Sequence, residues 1–138
     1  MQTVFHYLTL LLTGALLQAQ NTVEVTMTHF SNNDGKARVG LYNTATDFLE
    51  KEFRTQETTI VDQTAQVVFS DLPDGTYAIS CYHDEDNNGA LNMRFGMIPA
   101  EDYGCSNNAR GFFGPPQWDD ARFEVKNGVA KQLTIRLN

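Results

Sequence analysis

The chain has 138 residues, with 17 acidic and 10 basic side chains and a formal net charge of −7 at pH 7. This length is that of one domain, and it is enough to bury a hydrophobic core. The acidic balance argues against nucleic acid or an anionic membrane surface as a partner, because binding phosphate requires a cationic face.

The first 20 residues differ in composition from the rest of the chain. Residues 8–17 (LTLLLTGALL) form an apolar run that is followed by Gln18-Ala19-Gln20. The run is short for a bilayer-spanning helix and is typical of a secretory signal peptide with a small residue near the cleavage site. We expect cleavage after Ala19 or Gln20, so that residues 21–138 form one domain in the periplasm or outside the cell. A buried helix is the alternative.

Alternation of apolar and polar residues predicts β-strands through most of the remaining chain. Between them lie turn signals such as Pro73-Asp74-Gly75, and Asn127-Gly128 predicts a hairpin between the last two strands. Seven short strands with frequent turns favour an antiparallel β-sandwich of immunoglobulin-like or transthyretin-like type. The seven predicted strands are residues 22–30, 36–42, 57–61, 65–69, 76–83, 121–125 and 130–137.

Residues 44–56 (TATDFLEKEFRTQ) are the one segment with a helical pattern. Thr46 would cap this helix, and Phe48, Leu49 and Phe53 would form a short apolar stripe. An irregular crossover between strands is the alternative.

A long loop, residues 84–120, follows the fifth predicted strand. Connections beyond about 12–15 residues usually fold on themselves, carry function or are disordered, and the many apolar residues here argue against disorder. With the flanking residues 83 and 121 included, the segment holds seven acidic and two basic residues, which is a net charge of −5 out of −7. A cation site should therefore be sought in this loop.

The loop opens with Asp84-Glu-Asp86-Asn-Asn88-Gly89, which matches the first half of a calcium-binding loop. Alternate oxygen side chains can converge on one hard cation, and glycine allows the sharp bend that this requires. The twelfth position is Phe95 instead of a bidentate glutamate, so Glu101 or Asp102 would have to fold back to complete the site. The predicted ligands are the side chains of Asp84, Asp86, Asn88, Asn92 and Glu101 and the backbone carbonyl of Ala90.

Two interpretations of this motif remain open. With few certain carboxylates, calcium would bind weakly, with a dissociation constant of about 10⁻⁴–10⁻³ M. Alternatively, the Asp and Asn side chains bond their own backbone in a series of Asx-turns. No other cofactor is expected.

A resemblance extends over essentially all of residues 21–138. Phe69-x-Asp-Leu-Pro-x-Gly-x-Tyr-Ala78 resembles the turn-and-strand signature of transthyretin-like, Cna-B-type sandwich domains. This signature and several further positions along the chain together resemble the exported bacterial family known as domain of unknown function 2141. The resemblance implies export, a small β-sandwich and no established activity. The further positions are His83-Asp84, Asn88-Gly89-x-Leu91, Gly96, Pro99, Glu101, Tyr103-Gly104, Ser106-Asn107-Asn108-Ala109, Gly114-Pro115-Pro116 and Ala121.

The chain departs from the expected family pattern at three positions. Asp86 replaces an Asn, Asn92 stands where an Asp is usual, and Cys105 replaces a Phe. The change at Asn92 removes one charged ligand from the predicted cation site.

Cys81 and Cys105 are the two cysteines of the chain. An oxidising compartment permits a disulfide between them, which would anchor the long loop to the strand before it. Two separate buried thiols are the alternative.

Aromatic residues in the second half of the loop suggest a ligand surface for a glycan or a protein. The same rings could instead cover the open end of the core. The residues proposed for this surface are His83, Arg110, Phe112, Phe113 and Trp118.

The expected function is that of an exported, non-enzymatic module with a binding or structural role and no membrane span after signal cleavage. The alternative is a hydrolase or metal-dependent enzyme that uses His83, Asp84, Glu101 and Ser106. Ser106 lacks the G-x-S-x-G context of a nucleophile elbow and a base to activate it, so we predict no catalytic residue. We expect His83 to be structural and to bond the loop backbone.

Overall fold

The computed structural model describes residues 20–96 and 98–138. The predicted signal peptide lies outside the described residues, apart from Gln20. Within these ranges the chain is mostly β and has no long helix, and the predicted fold class is confirmed at that level. The strands are β1 (Asn21–Thr28), β2 (Lys36–Tyr42), β3 (Arg54–Thr58), β4 (Ala65–Leu72), β5 (Gly75–Asp84), β6 (Met93–Arg94), β7 (Ile98–Pro99), β8 (Tyr103–Cys105), β9 (Phe123–Val125) and β10 (Ala130–Arg136); a 3-10 turn spans Ser106–Asn108 and one helical turn, α1, spans Trp118–Ala121.

Among the described residues the strands form three sheets. The first has the order β10-β1-β4, and the second has the order β3-β2-β5-β8, with β9 also pairing with β5. The long loop adds a two-stranded sheet of β6 and β7. Each predicted strand overlaps a strand of the structure, although the one predicted at residues 57–61 shares only residues 57 and 58 with β3. The sequence did not indicate β6, β7 and β8, because strands of two or three residues are too short for an alternating pattern.

The main core lies between the first two sheets. Alternate residues of β1, such as Val23, Val25 and Met27, face inward and are almost fully buried. They pack in one cluster with the inward side chains of β2, β4, β5, β9 and β10. Because each strand turns one side of its pleat to this core, the other side of the second sheet is available for a site.

Two predictions about strand pairing are wrong. β10 pairs with β1 in parallel, so the arrangement is not wholly antiparallel. Asn127 and Gly128 do form a tight turn with φ of 64° and 66°, but the strands on either side do not make a hairpin. β9 pairs with β5 and β10 pairs with β1, since the chain crosses from one sheet to the other at this turn. The residues of a turn determine that the chain reverses direction. They do not determine which strand the following segment pairs with.

The predicted helix over residues 44–56 is also wrong, and its irregular alternative is what forms. Thr44 Oγ1 accepts a hydrogen bond from the N–H of Asp47 at 3.1 Å, and one turn follows. Leu49 then has a left-handed φ of 64°, which stops helical winding for a residue with a side chain. β3 begins five residues later.

A second apolar cluster covers part of the outer face of the second sheet. Phe48 from the irregular crossover packs edge-on to Tyr42 of β2 and to Trp118 of α1, with ring centroids 5.3 and 5.8 Å apart. Ala78, Cys105, Ala109 and Ala121 complete this cluster. Among the described residues, no helix combines the length and the apolar character that crossing a bilayer requires.

Candidate functional site: an acidic cluster in the long loop

Asp84, the last residue of β5, is the best-anchored carboxylate of the loop. It is 0 % exposed, and its Oδ2 accepts hydrogen bonds from Arg38 Nε at 2.6 Å and from the Gly89 N–H at 2.9 Å. Its Oδ1 accepts from the Asn88 N–H at 3.0 Å. β2 delivers Arg38 because it runs antiparallel to β5, with Lys36 opposite Asp84 and Arg38 opposite Tyr82. Asp84 thus ties the loop to the sheet.

The backbone after Asp84 bends back through the predicted series of Asx-turns. Asn88 donates its N–H to Asp86 Oδ1 at 3.2 Å, and Ala90 donates its N–H to Asn88 Oδ1 at 2.9 Å. Asn87 and Gly89 have φ of 59° and 79°, the left-handed conformation that Asn and Gly tolerate best. The side chains of Asp84, Asp86 and Asn88 are therefore already bonded to the backbone of the loop.

Glu101 folds back onto the start of the loop, which is one of the two predicted ways of completing the cation site. One ligand oxygen each of Asp84, Asp86 and Glu101 lies within 4.8 Å of the others. Oxygens at 2.3–2.6 Å from one calcium ion span distances of this size, so all three could ligate one ion with little movement. Asp102 takes another role, because its Oδ2 accepts from Ser31 N–H at 2.9 Å and Ser31 Oγ at 2.5 Å.

Asn92 lies between two of these carboxylates. Its Nδ2 donates to Asp86 Oδ2 at 2.8 Å and to Glu101 Oε1 at 3.1 Å, and its N–H donates to Glu101 Oε2 at 3.3 Å. Its Oδ1 accepts from Asn88 Nδ2 at 2.5 Å. The amide thus supplies the donors that a cation would otherwise replace, and a half-turn of the amide group would present its oxygen instead.

The pKa values of the carboxylates in the acidic cluster are shifted in different directions. Burial opposes ionisation of Asp84, but the Arg38 hydrogen bond and then the loop N–H groups outweigh it and lower the pKa of Asp84. Burial raises the pKa of Glu101, and the nearby charges of Asp86 and Asp84 raise it further. Glu101 is 8 % exposed and, unlike Asp84, has no arginine or lysine partner among the described residues. A divalent cation would supply positive charge at this point.

The two residues with conventional catalytic side chains are held by backbone groups. Ser106 is fully buried; its Oγ accepts from the Ile79 N–H at 2.9 Å and donates to the Ala121 carbonyl at 2.5 Å. His83 Nε2 lies 2.6 Å from the carbonyl oxygen of Asp34, which can only accept, so Nε2 carries the proton. Ser106 thus anchors the long loop. The side chain of His83 is bonded to the turn between β1 and β2 and not, as predicted, to the backbone of the long loop, because it lies on the core side of β5. Neither side chain is arranged to activate the other.

Cys81 and Cys105 are both buried and unbonded. In the β5–β8 register Cys81 lies opposite Gly104, and Cys105 lies opposite Ser80. Adjacent residues on a strand face opposite sides, so Cys81 belongs to the main core and Cys105 to the second cluster. The structure therefore corrects the predicted disulfide in favour of two separate buried thiols, because a bridge would have to cross the sheet. Burial raises the pKa of both thiols.

The proposed aromatic ligand surface divides in two. Phe112 and Phe113 are 91 % and 95 % exposed. Trp118 is partly buried against the second cluster, and His83 is 1 % exposed, so His83 does not belong to a surface and that assignment is wrong. His83 faces inward because it sits on the core side of β5, edge-on to Phe30 at 5.3 Å. Arg110 is exposed and donates to the Arg136 carbonyl at 3.3 Å.

Arg38 is the residue of this site that the sequence analysis missed. Besides Asp84, it bonds Glu57 through Nη1 at 2.7 Å. The alternation of β2 indicates that Arg38 points away from the core. Its carboxylate partners, however, depend on which strands neighbour β2, and this pairing is not local in sequence.

The fold and the site define a class: a small, mostly β domain whose long loop is closed by a hydrogen-bonded carboxylate–amide cluster. The chain belongs to the family described as uncharacterized protein conserved in bacteria (DUF2141), whose model matches residues 25–132. No curated protein and no solved structure matches the chain.

Proposed function

We propose that the chain is an exported, non-enzymatic β-sandwich module that has a binding or structural role in the cell envelope or outside the cell. The face-to-face arrangement of the first two sheets around one core supports an immunoglobulin-like or transthyretin-like sandwich. The apolar run at residues 8–17 supports export.

The observation that carries this proposal is the convergence of Asp84, Asp86 and Glu101 at the base of the long loop. Two of the three are buried, and Arg38 pairs with only one of them. A calcium ion at this point would replace the Asn92 amide as the group that holds the carboxylates together. The loop would then be closed by a cation instead of by hydrogen bonds alone.

Calcium suits this cluster better than magnesium. Calcium accepts six to eight oxygen ligands in flexible geometry, whereas magnesium requires a near-ideal octahedron and keeps its water. The carboxylates lie on separate segments of an irregular loop, and Asn88 and Asn92 add amide oxygens of the kind that calcium accepts. Because Arg38 already neutralises Asp84, binding should be weak.

The hydrogen bonds of Ser106 and His83 support a non-enzymatic role. A nucleophile needs a base within hydrogen-bond reach, and the base needs a free acceptor nitrogen directed at the nucleophile. Here Ser106 Oγ donates to the Ala121 carbonyl, and His83 Nε2 donates to the Asp34 carbonyl. The free acceptor nitrogen of His83, Nδ1, has no hydrogen-bond partner among the described residues and lies 3.9 Å from Asp102 Oδ2. The alternative of a hydrolase or metal-dependent enzyme gains no support from these contacts.

Thermal unfolding in calcium, magnesium and chelator tests the proposal. At ten times its dissociation constant a ligand of the native state adds about 1.4 kcal/mol, which for a domain of this size raises Tm by a few degrees. We expect this rise in millimolar calcium and a much smaller one in magnesium. Equal melting in calcium and in chelator would refute the calcium site.

A further inference from the structure

We propose that the groove on the outer face of the second sheet binds a neutral carbohydrate, one or two sugar units at a time. The inference rests on the proposed binding role and assigns it to a groove that adjoins the acidic cluster at Arg38 and Gly89 and does not include the exposed Phe112-Phe113 pair. The groove encloses about 330 Å³ between β2, β3 and β5. Six of its lining residues carry the argument: Arg38, Gly40, Tyr42, Glu52, Glu57 and Tyr82.

The floor of the groove is open because Gly40 has no side chain. A Cβ at this position would lie 2.9 Å from Glu52 Cγ and 3.1 Å from Tyr42 Oη. Gly40 therefore lets Glu52 and the Tyr42 hydroxyl approach the sheet and leaves room above it. The volume falls at the lower end of the range for small-molecule sites.

The charges of the groove argue against a charged ligand. Arg38 contacts two carboxylates, Asp84 at 2.6 Å and Glu57 at 2.7 Å, and so offers no uncompensated positive charge to an anion. Lys36 also bonds Glu57, at 2.9 Å. An organic cation would in turn meet the guanidinium group of Arg38 in the lining. The site is thus suited to a neutral molecule with many polar groups.

The polar groups of the groove match those of a sugar. Carboxylates such as Glu52 and Glu57 accept hydrogen bonds from hydroxyl groups, while guanidinium and tyrosine hydroxyl groups can donate to them. Tyr82 lines the groove and is half-buried, and an aromatic ring is the kind of group that packs against the C–H side of a sugar ring. The apolar residue of the lining, Val39, is 2 % exposed and faces the core, so an aliphatic ligand would find little to contact.

Chemical-shift mapping tests the assignment. The ¹⁵N-labelled protein is titrated with neutral disaccharides (cellobiose, maltose, mannobiose, xylobiose and chitobiose), and with inorganic phosphate and spermidine as charged probes. We expect at least one disaccharide to shift amide signals of β2, β3 and β5 and to saturate in the millimolar range. The charged probes should cause no saturating shift in these strands.

Three variants separate the groove from other surfaces. Tyr82→Ala should weaken disaccharide binding about tenfold, and Glu52→Gln, an exposed and nearly isosteric change, should weaken it severalfold with the fold intact. Phe113→Ala is the matched control and should bind within a factor of two of the wild type. The proposal is overturned if no disaccharide binds, if the shifts map to residues 112–113, or if only phosphate or spermidine binds. None of these results depends on the calcium melt, so the two proposals can fail separately.

Discussion

The two halves of the long loop are anchored in different ways. Residues 84–102 are held by carboxylates and amides: Asp84 accepts three hydrogen bonds, and Asn92 joins Asp86 to Glu101. Most of the large side chains of this half are exposed, including Phe95 at 92 %.

Residues 106–121 are instead held by burial. Ser106, Ala109 and Ala121 are buried, and Trp118 packs against Phe48. The polar contacts of this half go mainly to backbone carbonyls: Asn107 donates to Asp120 and Arg122 at 3.1 and 2.9 Å.

This difference predicts different responses to solution conditions. The first half depends on the ionisation of three clustered carboxylates, so pH, salt and cations should alter its stability. The second half depends on apolar contacts and neutral hydrogen bonds, which these conditions change little. The stability of the first half of the loop should therefore depend on solution conditions, and that of the second half should not.

The largest effect should come from Asp84→Ala. The change leaves the Gly89 N–H without its acceptor and removes one of two partners from Arg38 and from the Asn88 N–H, at a cost of about 2–3 kcal/mol. The first half of the loop should also be cleaved by protease before the protein unfolds globally, since its local opening free energy falls. Urea denaturation and limited proteolysis measure the two effects.

Asp120→Ala is the matched control, because Asp120 is exposed in α1 and its carboxylate makes no hydrogen bond with the described residues. Asp74 would be unsuitable, since it accepts from Asn21 Nδ2 at 2.8 Å. Wild-type stability and protease resistance in Asp84→Ala would show that apolar contacts alone hold the first half.

A smaller loss is expected for Ser106→Ala in the second half. Removal of Oγ leaves the Ile79 N–H and the Ala121 carbonyl without a partner, at a cost of about 1–2 kcal/mol. The loss should be the same in calcium and in chelator, because Ser106 anchors the second half. A loss that calcium reverses would contradict the separation of the two halves.

The smallest effect is the pH dependence of the calcium response. Without calcium, the raised pKa of Glu101 means that its contribution to stability is fully present below its unfolded value, about 4.3, and is lost as the pH rises through its folded value. Calcium competes with that proton. The calcium-induced rise in Tm should therefore be present at pH 7 and disappear as the pH falls towards about 4.3.

The pKa of Asp84 is shifted in the opposite direction to that of Glu101. Its pKa is lowered, so its contribution is present above about 3.9 and does not change over this range. Melts from pH 7 to pH 4.5 with calcium and with chelator isolate the Glu101 effect. A calcium response that stays constant to pH 4.5 would contradict the role given to Glu101.

Local patterns carried most of what could be predicted about the fold. Alternation located β1, β2, β4 and β5 because each turns one side to the core. The helix failed because Leu49 adopts a left-handed conformation that its sequence does not signal. The predictions of a hairpin between the last two strands and of a wholly antiparallel arrangement failed, because strand partners depend on contacts between distant segments.

For the candidate site, too, local sequence patterns could be predicted and contacts between distant segments could not. The spacing of Asp84, Asp86 and Asn88 is local, and these residues do lie together in the loop. The sequence alone did not decide between Glu101 and Asp102, because which one faces the cluster depends on contacts that are distant in sequence, such as that of Asp102 with Ser31. Arg38 and the groove could not be found, because both depend on the pairing of β2 with β5.

The central claim, that the buried carboxylate of Glu101 at the base of the loop accepts calcium, is tested most directly by Glu101→Gln. The amide keeps the shape of Glu101 and one of the two oxygens that accept from Asn92, but it removes the buried charge and places an NH2 group where the other oxygen was. In millimolar calcium the wild type should gain a few degrees over its Tm in chelator, and the variant almost none. A variant that gains as much from calcium as the wild type would contradict the claim.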